Sequence, residues 1–181
     1  YPERADNPIP HMVRYLNTLI GTEFDKGTDD FPPTHLAVTT IDTGNTAGNV
    51  IPARCEARFN MRFNDTWSAE TLDIYLRKIL DGIKAGGYNL TTYSNAPCFL
   101  TKQQSWRDMV MDAVAAVHGQ KPRANTGGGT SDARFIAPYC PVVEYGLVNE
   151  TIHKVDEHAT LQDISDLTET YLHILRAYFP V

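Results

Sequence analysis

The sequence predicts an α+β chain in two parts: a ferredoxin-like sandwich up to about residue 95, followed by part of an α/β fold. Three observations carry this. Residues 53–63 alternate apolar and polar side chains without a break, the period of a strand with one buried face. Residues 68–85 place apolar side chains at helical spacing. After Asn95-Ala96-Pro97 the pattern changes to two long amphipathic helices around a glycine run and one apolar strand, too few strands to close a sheet.

The elements follow in order. Tyr1 to Pro10 is polar and proline-punctuated, and a short helix is predicted from about Ile9 to Ile20 with Met12, Leu16, Leu19 and Ile20 inward. Thr22 to Pro33 reads as a charged surface loop, Leu36 to Ile41 as a strand, and Thr43 to Asn49 as a turn supplied with glycine and asparagine. In the strand Ala53–Phe63, Ala57, Phe59 and Met61 share the buried face, whereas Arg54, Arg58, Asn60 and Arg62 share the polar one. Ser68 caps a helix running to about Ala85, Gly86-Gly87 ends it, and Tyr88 to Tyr93 reads as a further strand. With one strand at or before Tyr1, the order becomes strand-helix-strand-strand-helix-strand, which is ferredoxin-like.

In the second part, Ser105 to His118 is an amphipathic helix stopped by Gly119. The run Gly127-Gly128-Gly129-Thr130-Ser131 and a short turn over Asp132–Ala137 precede a strand at Val142–Tyr145. A Thr160-x-x-Asp163 capping box opens the last helix, with Ile164, Leu167, Tyr171, Ile174, Leu175 and Tyr178 predicted on its apolar face.

Bulk properties exclude several function classes. A net charge of −6 over 181 residues repels phosphate, so neither nucleic acid nor an anionic membrane is an expected partner. No apolar run approaches a membrane span and no signal peptide is visible. Cys55, Cys98 and Cys140 are odd in number and widely spaced, which reads as reduced structural thiols in a cytoplasmic protein. A start at Tyr1 rather than Met reads as an internal cut from a longer chain.

Chemistry concentrates between Thr126 and Lys154, where glycine backbone, hydroxyls, Asn149 and His153 flank the apolar strand. His153 and His158 have a spacing allowed for zinc, but no second pair of ligands lies nearby. A single histidine is also an ordinary surface or core residue. The glycine loop lacks the trailing Gly-Lys-Ser/Thr of a phosphate loop, which leaves a flexible turn, or a cradle in which backbone N–H groups, Thr130 and Ser131 hold a carboxylate. Arg54 and Arg58 read as a solvated sheet face, whereas Arg62, near the strand end, can reach a ligand carboxylate bidentately. Asn49 reads as a turn residue, and Asp132 with Arg134 as a cap and a local pair. The Asn-x-Thr triplets at Asn64, Asn89 and Asn149 carry no glycosylation meaning in a cytoplasmic protein.

Several strings then occur in a telling order: Phe31-Pro32-Pro33-Thr34, Asn49-Val50-Ile51-Pro52, Phe59-Asn60-Met61-Arg62-Phe63, Gly128-Gly129-Thr130-Ser131-Asp132-Ala133-Arg134-Phe135 and Asn149-Glu150-Thr151-Ile152-His153-Lys154. Together they resemble the desuccinylase branch of the zinc aminoacylase and carboxypeptidase family, over nearly the whole chain. The resemblance implies a lid or dimerisation domain at 1–96, inserted in a split zinc catalytic domain whose C-terminal portion is 97–181. It implies hydrolysis of the amide of N-succinyl-LL-2,6-diaminopimelate, on the route to lysine and cell wall, with two zinc ions per site and a homodimer formed through the lid. By resemblance His153 is a metal ligand, Gly129, Thr130, Asn149 and Arg62 contact substrate, and Asn49 and Tyr1 reach the partner subunit's site. The remaining metal ligands and the general base have no counterpart in this chain, so by itself it is expected to hold zinc weakly and to be inactive. Gly146-Leu147 stands where the family often has Gly-Pro. A related deacylase, acting on acetylornithine or another N-acyl amino acid, and a dimerisation module without activity are the alternatives.

Overall fold

A computed structural model of the chain describes residues 4–95, 97–127, 131–148 and 150–179. It divides into two compact units, Tyr1–Cys98 and Phe99–Val181.

The first unit has the order α1 (Pro8–Ile20), β1 (His35–Asp42), β2 (Glu56–Arg62) and α2 (Ala69–Asp81). Helix α1 starts where Asn7 Oδ1 accepts the Ile9 N–H over 3.0 Å, with Pro8 inside the first turn, where a missing N–H costs nothing. Its buried residues are Tyr15, Leu16 and Leu19; Ile20, expected inward, is exposed, and Tyr15 joins the buried face. Strands β1 and β2 form a two-stranded antiparallel sheet, with His35 opposite Arg62 and Asp42 opposite Glu56. The expected alternation is present: Ala57, Phe59 and Met61 are half-buried and Glu56, Arg58, Asn60 and Arg62 exposed. The strand is shorter than predicted, beginning at Glu56 rather than Ala53.

The ladder is irregular between Val38 and Thr40, where Thr39 is an extra residue in β1 whose Oγ1 donates to the Arg58 carbonyl over 3.2 Å. Beyond it Thr40 faces Arg58 and Ile41 faces Ala57.

Helix α2 opens with a reciprocal cap between Ser68 and Thr71 and buries Leu72, Leu76 and Leu80 against Tyr15, Leu19, Phe24 and Leu36. Each such leucine contributes about 1.5–3 kcal/mol of burial. The helix stops at Asp81, short of the predicted Ala85, where the Gly82 N–H closes on the Lys78 and Ile79 carbonyls. The strand expected over Tyr88–Tyr93 does not join the sheet of the described residues. Its polar groups are taken by α2 instead: Arg77 Nη2 donates to the Leu90 carbonyl over 2.9 Å, Thr92 Oγ1 to Asp73 over 2.7 Å and the Tyr88 hydroxyl to Asp81 over 2.7 Å. The unit is therefore α+β with two strands, and the four-stranded sheet of a ferredoxin-like sandwich is not formed by the described residues.

The charged stretch Thr22–Pro33, predicted as a plain surface loop, is anchored. Phe24 is buried in the core, and Asp25 Oδ1 accepts from the Gly27 and Thr34 N–H groups and from Asn64 Nδ2, while Oδ2 accepts from Trp67 Nε1. Burial raises the Asp25 pKa, but the hydrogen bonds from Thr34, Gly27 and Trp67 outweigh it and hold the carboxyl below the usual carboxylate range.

The second unit contains α3 (Gln104–His118), the single turn α4 (Ala133–Ile136) and α5 (Leu161–Tyr178). Gly119, at φ 76°, ends α3 in the left-handed conformation that suits glycine. Val110 and Ala113 of α3 pack with Ile174 of α5, joined by Trp106 and Val143. The buried residues of α5 are Thr170 and Ile174, whereas Ile164, Tyr171, Leu175 and Tyr178, expected on the apolar face, are exposed. Only a narrow strip of α5 is covered by α3, which explains the difference. The strand expected at Val142–Tyr145 is not formed; Thr101 Oγ1 accepts the Val142 N–H over 3.1 Å and donates to the Val142 carbonyl, so a side chain occupies the groups a neighbouring strand would need. No helix among the described residues is long and apolar enough to cross a membrane.

Candidate functional site

Of the residues singled out in the sequence, Tyr1, Gly129, Thr130 and Asn149 lie outside the described residues. Arg62, Asn49 and His153 are described, the first two in one unit and the third in the other.

Arg62 is the last residue of β2, exposed, on the same face as Asn60 and Arg58 and opposite His35. Arg58 makes a long ion pair with Glu56, 3.9 Å, between exposed side chains, in keeping with a solvated face. Asn49 is exposed in the loop that joins the far ends of the same strands. That loop is held by Asn45, whose Nδ2 donates to the Val50 carbonyl over 2.6 Å and whose Oδ1 accepts the Ala47 N–H over 3.2 Å. The paired strands run roughly 20 Å, at the usual rise per strand residue, from the end that carries Arg62 to the end where this loop begins.

At the end of the glycine run, Ser131 is fixed by Glu144. Oε1 of Glu144 accepts the Ser131 N–H over 3.1 Å and the Ser131 hydroxyl over 2.5 Å, and Ser131 Oγ accepts the Ala133 N–H over 3.1 Å. Asp132 stands at the N-cap of α4 as expected but makes no side-chain cap bond; the Ser131 hydroxyl takes the first N–H of the turn instead. Arg134 lies over the Phe135 ring, 4.9 Å from its centroid.

His153 is exposed and has left-handed backbone, φ 62°. Its N–H donates to Glu157 Oε2 over 3.1 Å. His158, the other half of the zinc-compatible spacing, turns its Nδ1 to the Asp156 carbonyl at 2.8 Å, where it must be the donor. Among the described residues no group of three or more His, Cys, Asp or Glu could hold a metal ion. One exposed imidazole fits one corner of a metal site, and a closed site needs three or four such donors.

All three cysteines are free, and burial pushes the thiols of Cys55 and Cys98 up, away from the thiolate form.

The sequence singles out His153, Arg62 and the glycine run as candidates; Glu144 and Glu157 are not singled out, since their bonds to Ser131 and to the His153 N–H span 13 and 4 residues. Such pairings leave no periodic trace.

Comparison with known proteins adds to this geometry. Residues 1–87 match the family model of the peptidase dimerisation domain. Along 99% of its length the chain is 49% identical to a succinyl-diaminopimelate desuccinylase of Beijerinckia indica subsp. indica, covering 48% of that protein. It is 47% identical to the desuccinylase of Methylorubrum populi and 45% identical to that of Rhodospirillum centenum, covering 47% and 46% of them. The chain thus spans about half the length of the curated relatives it matches.

Proposed function

We propose that this chain, a relative of bacterial succinyl-diaminopimelate desuccinylases with a peptidase dimerisation domain at its start, forms the lid and the C-terminal catalytic portion of such an enzyme. The observation that carries the reading is the 45–49% identity to desuccinylases sustained over 99% of the chain, through both units rather than the first alone. On this reading residues 1–96 are the lid and 97–181 the catalytic portion. The α1-β1-β2-α2 order of the first unit is then the central part of a ferredoxin-like sandwich.

The reaction is hydrolysis of the amide in N-succinyl-LL-2,6-diaminopimelate. Water adds to the carbonyl carbon, the C–N bond breaks, and succinate and LL-2,6-diaminopimelate leave, the amine having taken a proton. Zinc, when bound, supplies polarisation of the carbonyl and a water of lowered pKa. The chain's own part is recognition and one metal ligand. His153 offers an exposed imidazole, the Arg62 guanidinium suits a substrate carboxylate, and the backbone around Gly129 and Thr130 with Asn149 suits another. Glu144 supports that cradle by fixing Ser131 at its end.

The separation of Asn49 from Arg62 along the hairpin favours a homodimer in which Asn49, and with it Tyr1, serves the partner subunit's site. The full-length protein is a cytoplasmic enzyme on this reading. The test is its succinate release from N-succinyl-LL-2,6-diaminopimelate compared with acetate release from N-acetylornithine. Faster turnover of acetylornithine would replace the desuccinylase reading by that of a related deacylase.

A second reading is supported by the match of residues 1–87 to the peptidase dimerisation domain: the chain alone is a dimerisation module without activity. Light scattering should then give a mass near twice 20.2 kDa with no turnover.

A further inference from the structure

The loop from Thr151 to His158 holds two non-glycine residues with left-handed backbone, His153 at φ 62° and Asp156 at φ 61°. Such conformations are unfavourable for residues with a Cβ and persist only where the surroundings over-determine them. Here the surroundings include the Thr151 hydroxyl, the Glu157 carboxylate and the His158 imidazole, whose Nδ1 donates to the Asp156 carbonyl. Thr151 Oγ1 donates to the His158 carbonyl over 2.8 Å and accepts the His158 N–H over 3.1 Å, so a single side chain makes both bonds that close the loop. Inside it, the Lys154 N–H returns to the Thr151 carbonyl over 3.0 Å, and Glu157 Oε2 accepts the His153 N–H. Thr151 is half-buried while the rest of the loop is exposed, so the clamp is the loop's anchor to the unit.

We propose that Thr151 is a positioning residue for His153: its hydroxyl holds the loop closed and fixes the direction of the imidazole before a ligand arrives. This rests on the reading of His153 as a metal ligand. The physical gain is preorganisation: a ligand held in its bound geometry gives up little freedom on binding. A threonine that merely stabilised the loop would have no effect on what His153 binds.

The experiment compares wild type with Thr151→Val, which keeps the shape and removes the hydroxyl, and Thr151→Ser, which keeps the hydroxyl. In the chain itself, amide hydrogen exchange at His153 and His158 should quicken at least tenfold in the valine variant and stay near wild type in the serine variant. In the full-length protein, zinc retention against a chelator should weaken by about tenfold or more in the valine variant and recover in the serine variant, with KM changed less than about twofold. Unchanged exchange in the valine variant overturns the proposal, as does open-loop exchange with zinc held as tightly as in wild type. If wild-type full-length protein neither retains zinc nor releases succinate, the desuccinylase reading has failed instead, and the exchange result alone then decides whether Thr151 holds His153.

Discussion

Asn64 Nδ2 donates to Asp25 Oδ1 over 2.7 Å and joins the end of β2 to the loop that follows α1. Asn64 is among the most buried side chains of the first unit, and its Oδ1 in turn accepts the Thr66 N–H over 3.0 Å. The irregular stretch before β1 is thus tied to the end of the sheet where β1 begins and β2 finishes, by a carboxylate with four donors.

Asp25→Ala should lower stability by about 3 kcal/mol in urea unfolding, since it strands several donors that are partly or wholly out of water. A change under about 1 kcal/mol would mean the donors find other partners.

Asp25→Asn should reveal the charge. Because the folded-state pKa of Asp25 is depressed, its charge contributes stability that is fully present above the unfolded pKa, about 3.9, and is lost as pH falls through the folded value. The stability difference between wild type and Asp25→Asn should be constant from about pH 5 to 7 and shrink steadily below about pH 4. A difference independent of pH down to strongly acid conditions would contradict the assignment.

Two glycines test whether space or conformation matters more. Gly27 has φ 81° and an added Cβ would stand 2.7 Å from the Phe31 carbonyl oxygen, whereas Gly44, φ 61°, would meet nothing within 4 Å. Gly27→Ala should cost more than about 2 kcal/mol and Gly44→Ala about 1 kcal/mol. Equal losses in thermal or chemical unfolding would show that the loop around Gly27 yields.

Thr160→Ala removes the hydroxyl that accepts the Asp163 N–H over 3.0 Å and should destabilise the second unit by about 1 kcal/mol. Thr160→Ser should recover most of it. Helix content followed by circular dichroism during melting provides the measurement.

In the full-length protein Arg62→Ala should reduce kcat/KM on N-succinyl-LL-2,6-diaminopimelate at least tenfold, about 1.4 kcal/mol of transition-state binding. Unchanged kinetics would return Arg62 to the solvated face it shares with Arg58.

Local rules of the chain were legible wherever one residue type has one physical use. The alternation of β2, the caps at Ser68 and Thr160, and the glycine stop of α3 all occur as the sequence predicts. The two missing strands share one cause: a side chain took a backbone group that periodicity reserved for a neighbouring strand. Arg77 does this to Leu90 and Thr101 to Val142, and neither pairing can be seen in a window of ten residues. The rotated face of α5 has a different origin, since periodicity reports which side chains are apolar but not how much of the helix α3 covers. For the candidate site, the sequence offers His153 and Arg62 as residue types with a motif around them. The clamp that shapes the His153 loop was not, because Thr151 and His158 meet only once the chain has folded back.

The extra residue in β1 makes the strand unequal in its tolerance of deletion. Every cross-strand pair beyond the irregularity, from Thr40 with Arg58 to Asp42 with Glu56, is already in the register that β1 would have if Thr39 were missing. Loss of Thr39 would straighten the ladder and leave each neighbour opposite its present partner, at the expense of one hydrogen bond to the Arg58 carbonyl. Loss of Leu36 or Val38 instead would slide the strand by one residue and turn apolar side chains toward water. Length variation in this strand should therefore be accommodated at Thr39, where a shorter chain keeps both faces of the sheet intact.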